Sequence, residues 1–232
     1  MKKLLWCLLF LTASYASHAQ LDSLAAEIND TRYFEDQFYL GMFYNALTNQ
    51  PGETGQSKLS YGFQGGFIKD LPVNKRRSFG FGLGIGMAYQ SINNDLRARQ
   101  LSTGLIVYNQ VAPGLSYRRN TLSFASVEIP LEIRWRASTA VKYKFWRIYG
   151  GVKLNYNLGA RSTFVTSDTK ESFSNDDVND LMYGTYLSFG YNTWNFYLYY
   201  QLNPLFKDNV FTGEGEEIAS RSLNLGLIFY IL

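Results

Sequence analysis

Residues 78–91, SFGFGLGIGMAYQS, limit what this chain can fold into more than any other stretch. Large apolar side chains occupy every second position: Phe79, Phe81, Leu83, Ile85, Met87 and Tyr89. The positions between them hold Gly80, Gly82, Gly84, Gly86 and Ala88. A period of two is a β-strand, because successive side chains point to opposite faces. Glycine weakens a strand unless something crowds that face or the chain must bend. One face is therefore apolar and the other is short of room. A soluble sandwich buries its apolar face and has no use for glycine on the other. A narrow closed barrel with its apolar face outward does, since small residues relieve crowding in the lumen and apolar ones meet lipid. A dinucleotide-binding reading fails on spacing: the pattern is G-x-G-x-G-x-G, not G-x-G-x-x-G, and no helix start follows.

Composition agrees with a barrel. Aromatic residues are 17% of the 232, as 18 Tyr, 17 Phe and the tryptophans, and charged residues are only 18%. Beyond Leu11 no run approaches the ~20 apolar residues of a spanning helix. The first residues read as a secretory signal peptide over 1–19. Lys2 and Lys3 are the basic region, Leu4 to Leu11 the apolar one, and Ser17-His18-Ala19 a small-x-small cleavage site. Cleavage removes Cys7 and His18, the sole cysteine and histidine of the chain. The mature chain then has no cysteine nucleophile, disulfide, histidine base or Cys/His metal site. It also carries 20 basic residues against 19 acidic ones, so bulk charge does not point to nucleic acid.

After a short polar periplasmic lead over 20–35, alternating segments begin and define a barrel domain over 36–232. The expected strands are Gln37 to Asn45, Leu59 to Ile68, the glycine stretch, Leu122 to Arg136, Tyr143 to Ala160, Leu181 to Tyr191, Trp194 to Leu202, and Ala219 to Leu232. Each is near or above the ~9–11 residues that cross a bilayer at a tilt. Connections after the first, third, fifth and seventh strands are long and polar, 92–121 and 161–180 among them. Those after the second, fourth and sixth are shorter. Outer-membrane barrels have long extracellular loops and short periplasmic turns. The expected fold is all-β: an eight-stranded antiparallel transmembrane up-and-down β-barrel in the outer membrane, both termini periplasmic. Pro130, in mid-strand, removes a ladder hydrogen bond and is expected to mark a bulge or bend. Asn224, Gly226, Phe229 and Ile231 follow the order of the C-terminal signal read by the barrel-assembly machinery, and that likeness implies assembly as an outer-membrane barrel.

Charges on the strands fall opposite the apolar band. Glu128, Glu132, Arg134 and Arg136 lie on the fourth strand, Arg147 and Lys153 on the fifth. Buried charges need partners, and neighbouring strands supply them. Glu128 and Glu132 are expected to pair with Arg147 and Lys153. The two glutamates, four residues apart, are separated by about 13 Å along a strand. That is wider than the roughly 5–9.5 Å of a glycosidase pair. No nucleophile–base pair is visible, so no enzyme and no cofactor is expected. An eight-stranded barrel has room only for side chains. Tyr39, Phe43, Arg147, Tyr149, Tyr186 and Tyr197 fill it, which argues against a pore for solutes. The acidic loop with Asp168, Glu171, Asp176, Asp177 and Asp180 lacks the spacing of a calcium loop and reads as solvated. The 92–121 connection is basic, with Arg97, Arg99, Arg118 and Arg119, and suits lipopolysaccharide phosphates or an acidic partner. The turn with Lys69, Lys75, Arg76 and Arg77 offers a second basic surface.

Three stretches, DQFYLGMFYN (36–45), VEIPLEIRWR (127–136) and KFWRIYGGVKLNY (144–156), together with KDLPVNKRR and the eight-strand spacing, resemble the PorT family of Bacteroidetes outer-membrane barrels. The likeness spans nearly the whole mature chain. It implies a structural or assembly component of type IX protein secretion, with other secretion-system subunits as partners and no catalytic residues. A generic small barrel with an adhesion, envelope-anchoring or small-solute role is the alternative.

Overall fold

Among the residues that the computed structural model describes (36–56, 58–74, 78–112, 114–137 and 146–231), alternation along the chain becomes eleven strands and no helix. The expected signal peptide, the 20–35 lead, and Lys75, Arg76 and Arg77 lie outside the described residues. The strands are β1 (Gln37–Thr48), β2 (Tyr61–Pro72), β3 (Phe79–Asn93), β4 (Leu96–Gln100), β5 (Ile106–Gln110), β6 (Arg119–Arg136), β7 (Trp146–Val165), β8 (Lys170–Ser174), β9 (Leu181–Tyr191), β10 (Trp194–Gln201) and β11 (Arg221–Ile231). Eight of them follow one another around a ring, β6-β3-β2-β1-β11-β10-β9-β7, and β6 pairs with β7 to close it. Every pairing in the ring is antiparallel. Closure removes the free edges that an open sheet exposes.

The faces are inverted relative to a soluble protein. Phe38, Leu40, Met42, Phe63, Phe81, Ile85, Ile133 and Phe196 point outward and are exposed, while Glu128, Arg134, Arg136 and Asn195 are buried inside. Aromatic side chains gather toward the two ends of the apolar band. Trp135, Trp146, Tyr191 and Trp194 stand near the short turns, and Tyr44, Tyr61, Tyr89 and Tyr156 near the long loops. Such girdles mark the two interfaces of an outer-membrane barrel.

Three departures from the sequence expectation matter for the lumen. First, β2 runs on to Pro72, so Asp70 continues the inward row of Gln64 and Ile68. Second, Pro130 produces no bulge. It stays in register with Lys153 of β7, and its missing N–H leaves Gly84–Ile85 unpaired with Ile129–Pro130 in the β3–β6 ladder. The bulge lies further along β7, where Leu158 is extra between Asn157, opposite Ser126, and Gly159, opposite Ala125. Gly159 has φ 145°, a backbone state that side chains rarely adopt, and a β-bulge often recruits glycine for such a site. The bulge flips the alternation, so Ala160, Ser162 and Phe164 turn inward. Third, the connections expected at 92–121 and 161–180 are folded. The first contains the β4–β5 hairpin, and the second carries the end of β7 hairpinned onto β8.

The glycines of β3 and β2 now have a reason. A Cβ on Gly86 would collide with the Tyr39 hydroxyl, and one on Gly62 with the Phe43 ring. A Cβ on Gly82 would stand 2.7 Å from the Glu132 side chain. The wall is thinned so that large inward side chains from β1 and β6 can lie across it.

Candidate functional site

Inside the barrel the side chains fall into layers. Nearest the short turns is an ionic layer. The Asp70 carboxylate accepts from both arginines of β6: Arg136 Nη2 at 2.7 Å and Nη1 at 2.9 Å, and Arg134 Nη1 at 3.0 Å. Arg134 Nε donates to Glu132 at 2.6 Å, and its Nη2 to Gln37 at 2.9 Å. The Tyr186 hydroxyl donates to the other oxygen of Glu132. Arg147 lies 5.6 Å from the ring centre of Tyr230 and 5.8 Å from that of Tyr149. Deeper, Lys153 Nζ donates to Glu128 at 3.1 Å, Gln64 at 2.8 Å and the Tyr197 oxygen at 3.1 Å, while the Tyr39 hydroxyl donates to Glu128. An amide layer follows, in which Asn45 Nδ2 bridges Gln90 at 2.6 Å and Asn224 at 2.7 Å.

Of the expected ion pairs, Glu128 with Lys153 is made and Glu132 with Arg147 is replaced. Register explains why. Glu132 faces Gly151 on β7 and Gly82 on β3, so neither strand offers it a cation directly opposite. Arg134, two residues along on the same face, folds back into that space. Arg147 instead stands opposite Arg136. Like charges in such a position repel, and Asp70 anchors the Arg136 side of that pair. Asp70 and Gln37 were missed by the sequence reading because Lys69-Asp70 looks like the start of a turn. The usable signal was parity, since Asp70 keeps the inward phase of β2.

Above the amide layer, at the long-loop end, the lumen becomes apolar. Leu47, Ile92, Leu122, Phe124, Ala160 and Met182 from the walls pack under Leu96, Ala98, Tyr108, Val178, Leu205, Phe206 and Ile218 from the loops. The loops therefore fold over the barrel mouth as a plug with its own core. Tyr108 ties it together: its hydroxyl lies 3.0 Å from both Asn175 Oδ1 and Asp177 Oδ2. Burial, and then the Asp177 carboxylate, push that hydroxyl well above its ordinary range.

The basic residues singled out in the sequence separate here. Arg97 is half-buried, 2.8 Å from Glu171 and 4.0 Å from the Phe164 ring centre, so it fastens the β4–β5 hairpin down. Arg99, Arg118 and Arg119 are exposed on the rim. Lys69 is on the opposite half of the barrel, 3.9 Å from Asp36. The acidic residues of 161–180 are dispersed: Glu171 meets Arg97, Asp177 meets Tyr108, and Asp180 meets Lys207 at 3.2 Å. No group of three metal-ligating side chains occurs among the described residues. On β11, Asn224 is in the lumen, Gly226 underlies Phe43, Phe229 packs outside on Trp194 at 4.7 Å between ring centres, and Ile231 faces outward.

A closed eight-stranded barrel, apolar outside, girdled by aromatics and filled within, defines an outer-membrane β-barrel protein. The chain belongs to the outer membrane protein beta-barrel domain family, whose model matches residues 18–207. Among solved structures it is similar to Ail, the attachment invasion locus protein of Yersinia pestis, at 14% identity and a TM-score of 0.38, over 86% of this chain and 100% of that one. It is likewise similar to the same protein in complex with the heparin analogue sucrose octasulfate, at 12% identity and a TM-score of 0.37, with the same coverage. Likenesses this distant do not bear on function. A comparison with curated proteins finds no match.

Proposed function

We propose that this barrel is a non-enzymatic subunit that works by binding partners, as a structural or assembly component of type IX protein secretion. The observation that carries the binding role is the contrast between a closed lumen and a built rim. Charge pairs, tyrosines and an apolar plug occupy the interior, which leaves the loops and turns as working surfaces. The resemblance to the PorT family supplies the secretion context. The same reading makes 1–19 a cleaved leader and 20–35 a periplasmic lead, and puts both termini in the periplasm and the long loops outside. It has the barrel-assembly machinery read Asn224, Gly226, Phe229 and Ile231. Arg99, Arg118 and Arg119 meet lipopolysaccharide phosphates, and neither cofactor nor nucleic acid takes part. Lys75, Arg76 and Arg77 form a periplasmic contact for other secretion subunits.

The test is mass spectrometry of culture medium, cell surface and periplasm from a clean deletion strain beside its complemented parent. Exported proteins with C-terminal sorting domains should vanish from outside and accumulate in the periplasm. Normal export overturns the secretion role and leaves the generic small-barrel alternative. Planar-bilayer recordings of the purified barrel should show no steady solute conductance, and sustained open channels would overturn the binding-only mechanism.

A further inference from the structure

The outer wall carries a groove that the rest of the lipid-facing surface lacks a reason for. It has a volume of about 640 Å³ and is lined by Phe38, Leu40, Phe67, Ile85, Met87 and Val127 among others, with Gly65, Gly66 and Gly86 at its base. Gly65 is the key position. It stands between Leu40 of β1 and Met87 of β3, on a row of β2 that otherwise holds Phe63 and Phe67. No lumen side chain requires a glycine on the outward face. The groove also borders the two unpaired positions opposite Pro130. Its size falls in the range of about 300–1,000 Å³ that holds small ligands, and its lining is apolar.

One end of the groove is charged. In the half of the barrel nearer the short turns, Lys69 is the one charged residue at an outward-facing strand position among the described residues. It lies two residues beyond Phe67 on the same face, toward the end where the tryptophans gather. Asp36 stands 3.9 Å from it, held in place by the Asp70 N–H at 2.9 Å. A lysine on a lipid face extends its stem along apolar surface and delivers its ammonium to the headgroup level. A pair at this distance is weak, and Lys69 is 60% exposed, so its ammonium is within reach of a headgroup. The surface thus offers a cation and an anion side by side above an apolar slot.

We infer that the groove is a binding site for a single glycerophospholipid with a zwitterionic, amine-bearing headgroup. One acyl chain lies over Gly65, the phosphate meets Lys69, and the headgroup ammonium donates to Asp36. A purely anionic headgroup matches only half of this pair. A quaternary amine has no N–H for Asp36. The inference rests on the outer-membrane barrel assignment and is independent of the secretion role.

The test uses the full barrel in phosphatidylcholine vesicles containing traces of phospholipids with a photoactivatable acyl chain. The headgroup is ethanolamine, glycerol or choline in separate arms, and insertion is checked by heat-modifiable gel migration. The ethanolamine probe should label peptides from 61–72 and 79–93 above all other wall segments, and above the other two probes. Lys69→Gln should reduce that labelling about fivefold, the worth of one cation at an anionic lipid group. Asp36→Asn should remove the preference for ethanolamine over choline. Gly65→Leu should abolish the labelling; its Cβ would meet the Leu40 side-chain tip at 2.9 Å, a contact a flexible side chain can relieve. If Gly65→Leu fails to insert, Lys69→Gln still decides. Uniform labelling around the wall, or labelling indifferent to headgroup, overturns the inference. A discrete protein adduct from a photo-crosslinking residue at Phe67 in living cells assigns the groove to a partner and also overturns it. A barrel that never inserts contradicts the membrane assignment itself, which separates the two failures.

Discussion

The two halves of the lumen fill the same cylinder in opposite ways. Near the short turns the interior is ionic: Asp70, Glu132, Arg134 and Arg136 interlock, and Lys153 clasps Glu128 one layer deeper. Near the long loops it is an apolar core, to which the loops contribute as much as the walls. A buried ionic layer is costly to form and costly to break, and it works only in one arrangement. It therefore suits the end where few residues join one strand to the next. An apolar core is tolerant in detail and non-directional. It suits the end where long chain segments must settle on a rim. The difference teaches that the ionic half specifies the barrel, whereas the apolar half organises the loop surface.

The largest expected effect comes from the ionic half. Asp70→Ala leaves Arg134 and Arg136 buried without their shared carboxylate. Removing one partner of such a cluster costs about 3–5 kcal/mol. Urea unfolding in vesicles, followed by heat-modifiable migration, should show a barrel that barely folds, with the rim lost together with the walls. A near-normal midpoint would show that this layer is not what specifies the barrel.

Next is the apolar half. Leu205 is fully buried in the plug but belongs to no barrel strand. Leu205→Ala should cost about 3 kcal/mol, as a buried leucine truncation does, and the loss should be local. Limited proteolysis should nick the loops around 166–180 and 202–220 much faster, while the unfolding midpoint of the walls moves little. If walls and rim fall together, the two halves are one cooperative unit and the contrast collapses.

These two variants also show what sequence reasoning can reach. The eight walls were legible because long runs repeat a period of two many times, and the inward charges of β6 and β7 kept that phase. Asp70 was not, because a charged pair before a proline reads as a turn in a soluble frame. In a barrel with a polar lumen it is simply the next inward position. The bulge at Gly159 was hidden among glycines that serve only to thin the wall. The plug was the least legible part. Strands of five residues such as β4 and β8 show too few periods to stand out. The plug's apolar residues are brought together by topology, with Leu96 and Val178 in one cluster with Leu122 and Met182 of the walls.

A smaller effect sharpens the independence of the rim. Tyr108→Phe removes a hydroxyl that lies against Asn175 and Asp177, at a cost of about 1–2 kcal/mol. Its pH dependence follows from the raised hydroxyl range. The folded rim holds Tyr108 protonated, whereas an opened rim releases the proton near pH 10. The stabilisation is thus complete below about pH 10 and declines as pH rises further. Rim proteolysis in the parent should accelerate above that pH and approach the rate of Tyr108→Phe, with the walls unaffected. A parent and variant with parallel pH profiles would remove Tyr108 from the account.

The smallest effect concerns the fastening of the β4–β5 hairpin. Arg97 reaches Glu171 at 2.8 Å and lies over Phe164, but both charged side chains are partly in water, 25% and 43% exposed. A pair in that setting is worth about 0–1 kcal/mol and weakens with salt. Arg97→Gln should therefore leave unfolding of walls and plug unchanged, yet raise hydrogen exchange at 96–110 by a few-fold at low ionic strength. In high salt the parent should approach the variant, because the remaining attachment of the hairpin is apolar, through Leu96, Ala98 and Tyr108. Were Arg97→Gln instead as damaging as Leu205→Ala, the rim would be held by charge like the lower lumen, and the division between an ionic scaffold and an apolar platform would not stand.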